Sequence, residues 1–437
     1  MASSTLAIII VIIAIAMFIS GKFSAGVIGT VGALMVGVLL PEVELSTVYS
    51  GFGSNTITLC AGMCVVSEAL FHTGVGQKIG EKINSTPVVN SERVFCAVVA
   101  AICTLQSAFM SNNGTVAMWM ALIVTISAVK GSKIRAKMAI FPAATGAIIG
   151  GGCTLVGSTS QAVANGLLQT EPGYEAGMAV FDMTRYAWPM AVVAIIFWLT
   201  IGYDLEVKVL KPDSPDFNKG NVYAAPEAGN LDEIPAWKGM VSLGVLIGSI
   251  VCFILSGFQP FKTYMNIGTI PLMAAVILFV LKVVPVHETL SKLPWDTIIS
   301  IGTLPALGTG LSKTGAGAMI ANFVLGLFGD NTSPIVMLIV FTVLGGFLTC
   351  FMANAGTVSM LVPIAIPLAA SLGVSPMPFV VALAVSTNMA IATPMGTAVN
   401  YQILPVGYTF KDFLCIGGPL WILLMITMSI TMAVIGF

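Results

Sequence analysis

Residues 109–118 read FMSNNGTVAM, and residues 351–360 read FMANAGTVSM. Seven of the ten positions coincide, and each decapeptide sets amides, hydroxyls and a glycine between long apolar runs. The surrounding chain is 57% hydrophobic and 8% charged over 437 residues, with a mean hydropathy of +0.98. A soluble protein carries roughly a quarter charged residues, so this composition reads as a polytopic membrane protein. Runs such as 5–19, 188–201 and 413–436 reach or approach the roughly 20 apolar residues that a bilayer crossing needs. No Lys or Arg precedes the first run, which marks it as a retained span rather than a cleaved leader.

The two decapeptides belong to a longer correspondence. Residues 55–74 align without a gap to 296–315, TLVGSTSQ at 154–161 answers TPMGTAVN at 393–400, and the spacing from Asp182 to Pro189 recurs from Asp412 to Pro419. Four blocks in one order indicate an internal duplication. A single polar stretch, 204–237, separates the copies, giving a first repeat at 1–203, a cytoplasmic linker at 204–237 and a second repeat at 238–437. Each half reads as two scaffold spans (4–20 and 24–40; 238–256 and 266–284), followed by transport elements at 55–203 and 295–437. Those elements are a third span (55–71; 295–312), a short amphipathic arm (73–84; 314–326), an apolar helix pair hinged at the Asn-Gly cluster, a Gly/Pro-broken helix and a final span.

If each hinged pair enters the bilayer and returns, a half makes five crossings, and an odd number inverts the second half. The positive-inside rule agrees. With the N-terminus outside, the cytoplasmic segments hold all of the 18 Lys and Arg residues except Arg185, Lys262 and Lys313. The expected fold is an all-α polytopic membrane protein, an inverted repeat of two five-span halves, each with a re-entrant helical hairpin and a broken helix. That makes about ten spans plus two hairpins, with both termini outside.

Irregular backbone inside hydrocarbon is tolerated only where protein buries it or a watery cavity borders it. The hairpin tips at 111–115 and 353–357 and the breaks at 150–159 and 392–397 occur in matched positions of the two halves, which points to a transporter's central site. Asn112 and Asn354 offer an amide oxygen to a cation and an NH₂ to a carboxylate. Gly114 and Gly356 permit close backbone approach. The hydroxyls of Thr115, Thr357, Ser158 and Thr397 can donate to anionic oxygens. No Lys or Arg lies in these clusters, so an anion there depends on helix dipoles and a co-bound cation. The competing reading of the asparagines is interhelical glue; matched placement at two tips favours the site.

These motifs resemble the divalent anion/sodium symporters, carriers of dicarboxylates, citrate or sulfate within the ion transporter superfamily. The resemblance runs from about residue 5 to the end of the chain. The family's Ser-Asn-Thr tip signature reads Ser111-Asn112-Asn113 and Ala353-Asn354-Ala355 here, while its Ala-Thr-Pro motif is intact as Ala392-Thr393-Pro394. The resemblance implies substrate contacts from Ser111, Asn112, Asn113, Asn354, Thr393 and Pro394. It implies one Na⁺ site built from Ser107, Ser111, Asn112 and a carbonyl near Gly152, and a second from Thr349, the Met352 backbone, Asn354 and the Ala392 backbone. The lost signature hydroxyls bear on substrate identity rather than on fold.

The resulting expectation is a sodium-coupled symporter of a small divalent anion, a C4-type dicarboxylate, working as an elevator in a homodimer of the plasma membrane. Na⁺ is the coupling ion, with no other cofactor, no nucleic-acid partner and no enzymatic activity. Alternatives are a proton-coupled or exchange-only anion carrier, or a Na⁺/H⁺ antiporter of the same superfamily. No HExxH, P-loop or strand-linked GxGxxG is present, and the two histidines stand at 72 and 287. Glu68 and His72 read as an interfacial pair, although an intramembrane acid is by default a functional candidate. The eight cysteines read as small buried hydrophobes, and the acids at 182 and 412 as membrane-edge caps.

Overall fold

The computed structural model describes every residue except 1, 21, 76–85, 129–131, 218–233, 256–260, 267, 329–332, 395 and 437. All regular structure among the described residues is helical, as lipid requires of a chain whose backbone polar groups must be satisfied within each segment. The first half runs Ser3–Ser20, Ala25–Leu39 and Asn55–His72, then the pair Glu92–Ser107 and Asn112–Ala128. The interrupted helix Ala136–Gly151 and Thr159–Leu168 follows, and then Thr184–Phe197, which continues through Trp198–Gly202 into Tyr203–Leu210. The second half repeats the order: Ala236–Leu255, Thr269–Val280, Trp295–Thr303 with Pro305–Lys313, the arm Ala316–Phe328, the pair Pro334–Leu348 and Asn354–Ser371, the interrupted Met377–Ser386 and Ala398–Ile403, and finally Gly418–Ile435. The first arm expected at 73–84 lies mostly outside the described residues, as does the central part of the linker.

Among the described residues four stretches are long and apolar enough to cross a bilayer by length and composition: Thr184–Leu210, Ala236–Phe253, Asn354–Ser371 and Phe410–Ile435. Six further apolar helices have 10–17 residues. The 15 residues of Pro334–Leu348 extend about 23 Å at 1.5 Å per residue, short of the ~30 Å hydrocarbon layer. A short helix is what a hairpin arm or an interrupted helix needs. Large apolar side chains face outward on the first two spans of each half and on the last helix, among them Ile12, Val38, Val280 and Val434. A chain with this exterior is an integral membrane protein.

The repeat is visible in individual hydrogen bonds. Ser107 Oγ donates to Asn112 Oδ1 at 2.7 Å, and Thr349 Oγ1 donates to Asn354 Oδ1 at 2.8 Å. Thr154 Oγ1 donates to the Ala108 carbonyl and Thr393 Oγ1 to the Cys350 carbonyl. Gln161 Nε2 reaches the Gly151 carbonyl at 3.4 Å, and Asn400 Nδ2 reaches that of Ala390 at 2.6 Å. Asp182 accepts from Ala179 N at 2.7 Å, and Asp412 from Thr409 N at 2.8 Å. Both acids therefore cap helix-entry turns. Arg185 instead lies over the Tyr186 ring, 4.6 Å from its centroid.

The third span of each half packs on the other half. A Cβ on Gly62 would lie 2.5 Å from the Pro271 backbone, and one on Gly26 would lie 2.6 Å from the Asp296 carboxylate. Glu68 bonds Lys292 at 2.6 Å rather than His72, because Lys292 follows the short helix Val286–Ser291 and also holds Glu288 at 2.8 Å. At the base of the first hairpin, Glu92 receives Arg135 through N (2.7 Å), Nε and Nη2 (2.5 Å), and Tyr203 OH at 2.8 Å. Four of the eight cysteines are buried and the other four partly so, and all are free thiols.

Candidate transport site

The two hairpin tips meet at one cavity of about 720 Å³. Its wall includes Ser111, Asn112 and Asn113 from the first tip and Met352 to Gly356 from the second. Gly157 to Thr159 and Gly396 to Ala398 come from the two helix breaks, and Phe18, Phe23 and Asp296 from the surrounding spans. Helices Asn112–Ala128, Thr159–Leu168 and Asn354–Ser371 all begin at this wall. At the second tip no side chain caps the helix, since Ala353 stands where Ser111 stands in the first. Ser111 Oγ accepts from Gly114 N at 3.2 Å. Helix N-termini with free N–H groups and a positive dipole end favour anions.

Glycines set the tip geometry by permitting contact no Cβ could share. A Cβ on Gly356 would lie 2.8 Å from the Phe18 ring, and one on Gly114 would collide with the ring of Phe71. Gly151 abuts the Asn112 amide in the same way. Each tip is thus seated against a phenylalanine, and each asparagine against the break of its own half.

The second tip gathers a hydroxyl and two carbonyl oxygens around the Asn354 amide. With Asn354 Nδ2 donating to Asn388 Oδ1 at 3.1 Å, the Asn354 amide oxygen faces Thr349 Oγ1 at 2.8 Å, Gly396 O at 3.0 Å and Thr387 O at 3.2 Å. The Thr349 hydroxyl also reaches Thr387 O at 2.5 Å. Carbonyl oxygens this close repel unless a donor or a cation lies among them. Turning the amide puts Nδ2 there as the donor, the orientation these contacts favour; the hydroxyl and two carbonyls around it are oxygens of the kind a hard cation takes. The first half offers the matching Ser107–Asn112 pair. Gln161 Oε1 and Thr115 Oγ1 are buried there without a hydrogen-bond partner among the described residues.

Of the sequence-derived substrate contacts, Ser111, Asn112, Asn113, Ser158, Asn354 and Thr397 line the cavity. Thr115, Thr357, Thr393 and Pro394 are buried behind it, with Thr357 Oγ1 bonded to Ala353 O at 3.3 Å and Thr393 to Cys350. Of the sodium sets, Ser107 and Thr349 are buried and bonded to their asparagines, Met352 reaches the cavity wall, and Ala392 is buried. Gly152 packs on Met389 while Gly151 meets Asn112. Sequence reading missed Thr387, Asn388 and Gly396 around Asn354, and Asp296 on the wall. Main-chain carbonyls leave no side-chain signal, and Asp296 lies far along the chain from either tip.

Two helical halves of matching element order close their tips and breaks on one polar cavity of an integral membrane protein. In the solved structures this fold is shared by the YdaH transporter of Alcanivorax borkumensis (TM-score 0.63, 14% identity, 88% of this chain and 86% of that one). MtrF of Neisseria gonorrhoeae shares it as well (TM-score 0.60, 13% identity, 100% and 95%). The family model described as citrate transporter (CitMHS) matches residues 12–342 and 319–436, so the chain belongs to that family. The sodium-dependent dicarboxylate transporter SdcS of Staphylococcus saprophyticus is 25% identical over 86% of this chain and 74% of its own length. An uncharacterized transporter of Synechocystis is 33% identical over 31% of this chain. One of Escherichia coli, YfbS, is 29% identical over 35%. The matches span only 22% and 25% of those two relatives' lengths. That family is one of transporters, and the chain's relatives agree with the divalent anion/sodium symporter group.

Proposed function

We propose that the protein is a sodium-coupled symporter of a small divalent anion, a C4-type dicarboxylate. The observation that carries this reading is the single cavity bounded by both hairpin tips, with helix N-termini on its wall and an oxygen cluster behind Asn354. The N-termini suit carboxylates, and the oxygen cluster suits Na⁺. No lysine or arginine is on the wall among the described residues, so a bound cation supplies the positive charge a dianion needs. The likeness to SdcS, a sodium-dependent dicarboxylate transporter, supports sodium and dicarboxylate as the first pair to try.

The substrate lies between Ser111–Asn113 and Asn354, with Ser158 and Thr397 donating from the helix breaks. Na⁺ is held by the Ser107–Asn112 pair in one half, and by Thr349, Asn354, Thr387 and Gly396 in the other. The hairpins are re-entrant and the halves inverted, with both termini outside the plasma membrane. The hairpin-bearing parts move past a scaffold of the first two spans of each half, linked by the arms at 73–84 and 314–326, and the scaffold forms a homodimer.

The experiment is uptake of labelled succinate into proteoliposomes under an inward Na⁺ gradient, and with K⁺ in its place at fixed pH. Uptake that needs Na⁺ and is lost in an Asn112→Ala/Asn354→Ala double variant supports the symporter. Uptake indifferent to Na⁺, or unchanged in the double variant, overturns it. Citrate and sulfate form the next panel if succinate is not carried.

A further inference from the structure

Among the described residues the cavity wall carries one charged side chain, and it is an acid. Asp296 opens helix Trp295–Thr303, and its Oδ1 accepts from Gly26 N at 2.9 Å, in the first turn of helix Ala25–Leu39. That bond fixes the carboxylate at the cavity edge. Asp296 makes no further hydrogen bond to the described protein.

The repeat supplies an internal comparison. Asn55 occupies the position equivalent to Asp296, and a Cβ on Gly268 would lie 2.9 Å from Asn55 Oδ1, as one on Gly26 would lie 2.6 Å from Asp296 Oδ1. A neutral amide therefore serves the same packing in the other half. The negative charge of Asp296 is an addition that the helix contact does not require. It faces a cavity proposed to hold an anion and lined, among the described residues, by no cationic one.

A charge in a cleft with low-dielectric walls has its field focused into that cleft, and the energy of each ligand there scales with the ligand's charge. We propose that Asp296 is a charge-selecting residue of the central cavity. It draws cations in and penalises a bound anion once for each unit of negative charge, so that the cavity favours less charged carboxylates over more charged ones. The inference rests on the anion-transport reading above. It deepens that reading by making substrate charge, beside shape, the selected property.

The test compares wild type, Asp296→Asn and Asn55→Asp in proteoliposomes at saturating Na⁺ and pH 7.5. Labelled succinate is carried, and monomethyl succinate and citrate serve as competitors. Asp296→Asn keeps an acceptor for Gly26 N and removes only the charge. Its half-saturation or inhibition constants fall by about threefold per unit charge, the size Coulomb's law gives across several ångströms of watery surroundings. That means roughly 3-, 10- and 30-fold for the mono-, di- and trianion. The Na⁺ concentration for half-maximal uptake moves the opposite way, up about threefold. Asn55→Asp, away from the cavity, leaves all constants in place.

Equal shifts for the three anions, or no shift with transport intact, overturn the proposal. Failure of the wild type to carry any of the three overturns the transport reading instead. The cation arm still stands in that case, read as the Na⁺ midpoint of a thermal-shift titration in detergent, where an unmoved midpoint in Asp296→Asn overturns it. Asp296→Ser, which also offers an acceptor, replaces the amide variant if that one fails to fold.

Discussion

The hydroxyl of Thr349 lies 2.8 Å from the side-chain amide of Asn354 and 2.5 Å from the Thr387 carbonyl. The same side chain thus touches the hairpin tip and the end of the interrupted helix. Thr349→Val removes the donor while keeping the shape, and it leaves buried oxygens without a partner. That costs roughly 1–3 kcal/mol. The expected result is a 10- to 100-fold loss in apparent Na⁺ affinity with the protein still folded, read from the Na⁺ dependence of uptake. Ser107→Ala acts on the first tip in the same direction. A Thr349→Val protein with wild-type Na⁺ dependence would refute the ion site.

The seats of the two tips are tested by glycine substitutions. Gly114→Ala drives a methyl into the Phe71 ring, and Gly356→Ala drives one into Phe18. Overpacking of this kind costs about 1–3 kcal/mol. Each variant loses uptake, and shortening the partner (Phe71→Leu with Gly114→Ala, Phe18→Leu with Gly356→Ala) restores it. Failure of both double variants to recover would show that the rings are not what the tips rest on.

At the base of the first hairpin, Glu92 is buried and bonded to Arg135 and Tyr203. Removing one partner of a buried pair costs more than the pair contributes, about 3–5 kcal/mol, because it strands the other charge. Arg135 is about a third exposed, which lowers the figure towards the bottom of that range. Arg135→Ala is expected to lower the melting temperature in detergent more than Arg93→Ala, whose partner Asp204 is exposed. The reverse order would contradict the structure.

Lys292 joins the halves through Glu68 and also pairs with Glu288 of its own half. Its hydrogen bonds to Glu288 and then Glu68 hold its ammonium above the usual lysine range, while bonding to Lys292 holds the Glu288 carboxyl below the usual range. A lowered acid stabilises the fold above its unfolded pKa, and that contribution is lost as pH falls through the folded value. A raised lysine stabilises below its unfolded pKa and stops doing so as pH rises through the folded one. Lys292→Gln should therefore lower the melting temperature by the same small amount from pH 6 to 9, with the difference from wild type shrinking towards pH 3. Glu68→Gln, removing a group already engaged by Lys292, is expected to leave Na⁺ dependence intact. Abolished transport with the Na⁺ dependence unchanged would favour proton coupling.

The sequence alone determined the membrane class, the duplication and the identity of the tip residues. Apolar runs have one stable environment, and an internal repeat is written in the order of its blocks. Asn112 and Asn354 could be chosen because an amide in hydrocarbon needs a reason. Tertiary structure decided what the tips close upon. Thr387 and Gly396 reach Asn354 through backbone carbonyls, which every residue possesses and no side chain announces. It separated Ser158 and Thr397 on the wall from Thr115, Thr357 and Thr393 behind it, because a threonine hydroxyl can turn back to a main-chain carbonyl, as those of Thr357 and Thr393 do, as readily as outward. It also brought Asp296 to the cavity and Lys292 to Glu68. Those meetings depend on how each third span crosses to the opposite half, and close packing at Gly26 and Gly62, rather than any local pattern of residues, sets that crossing.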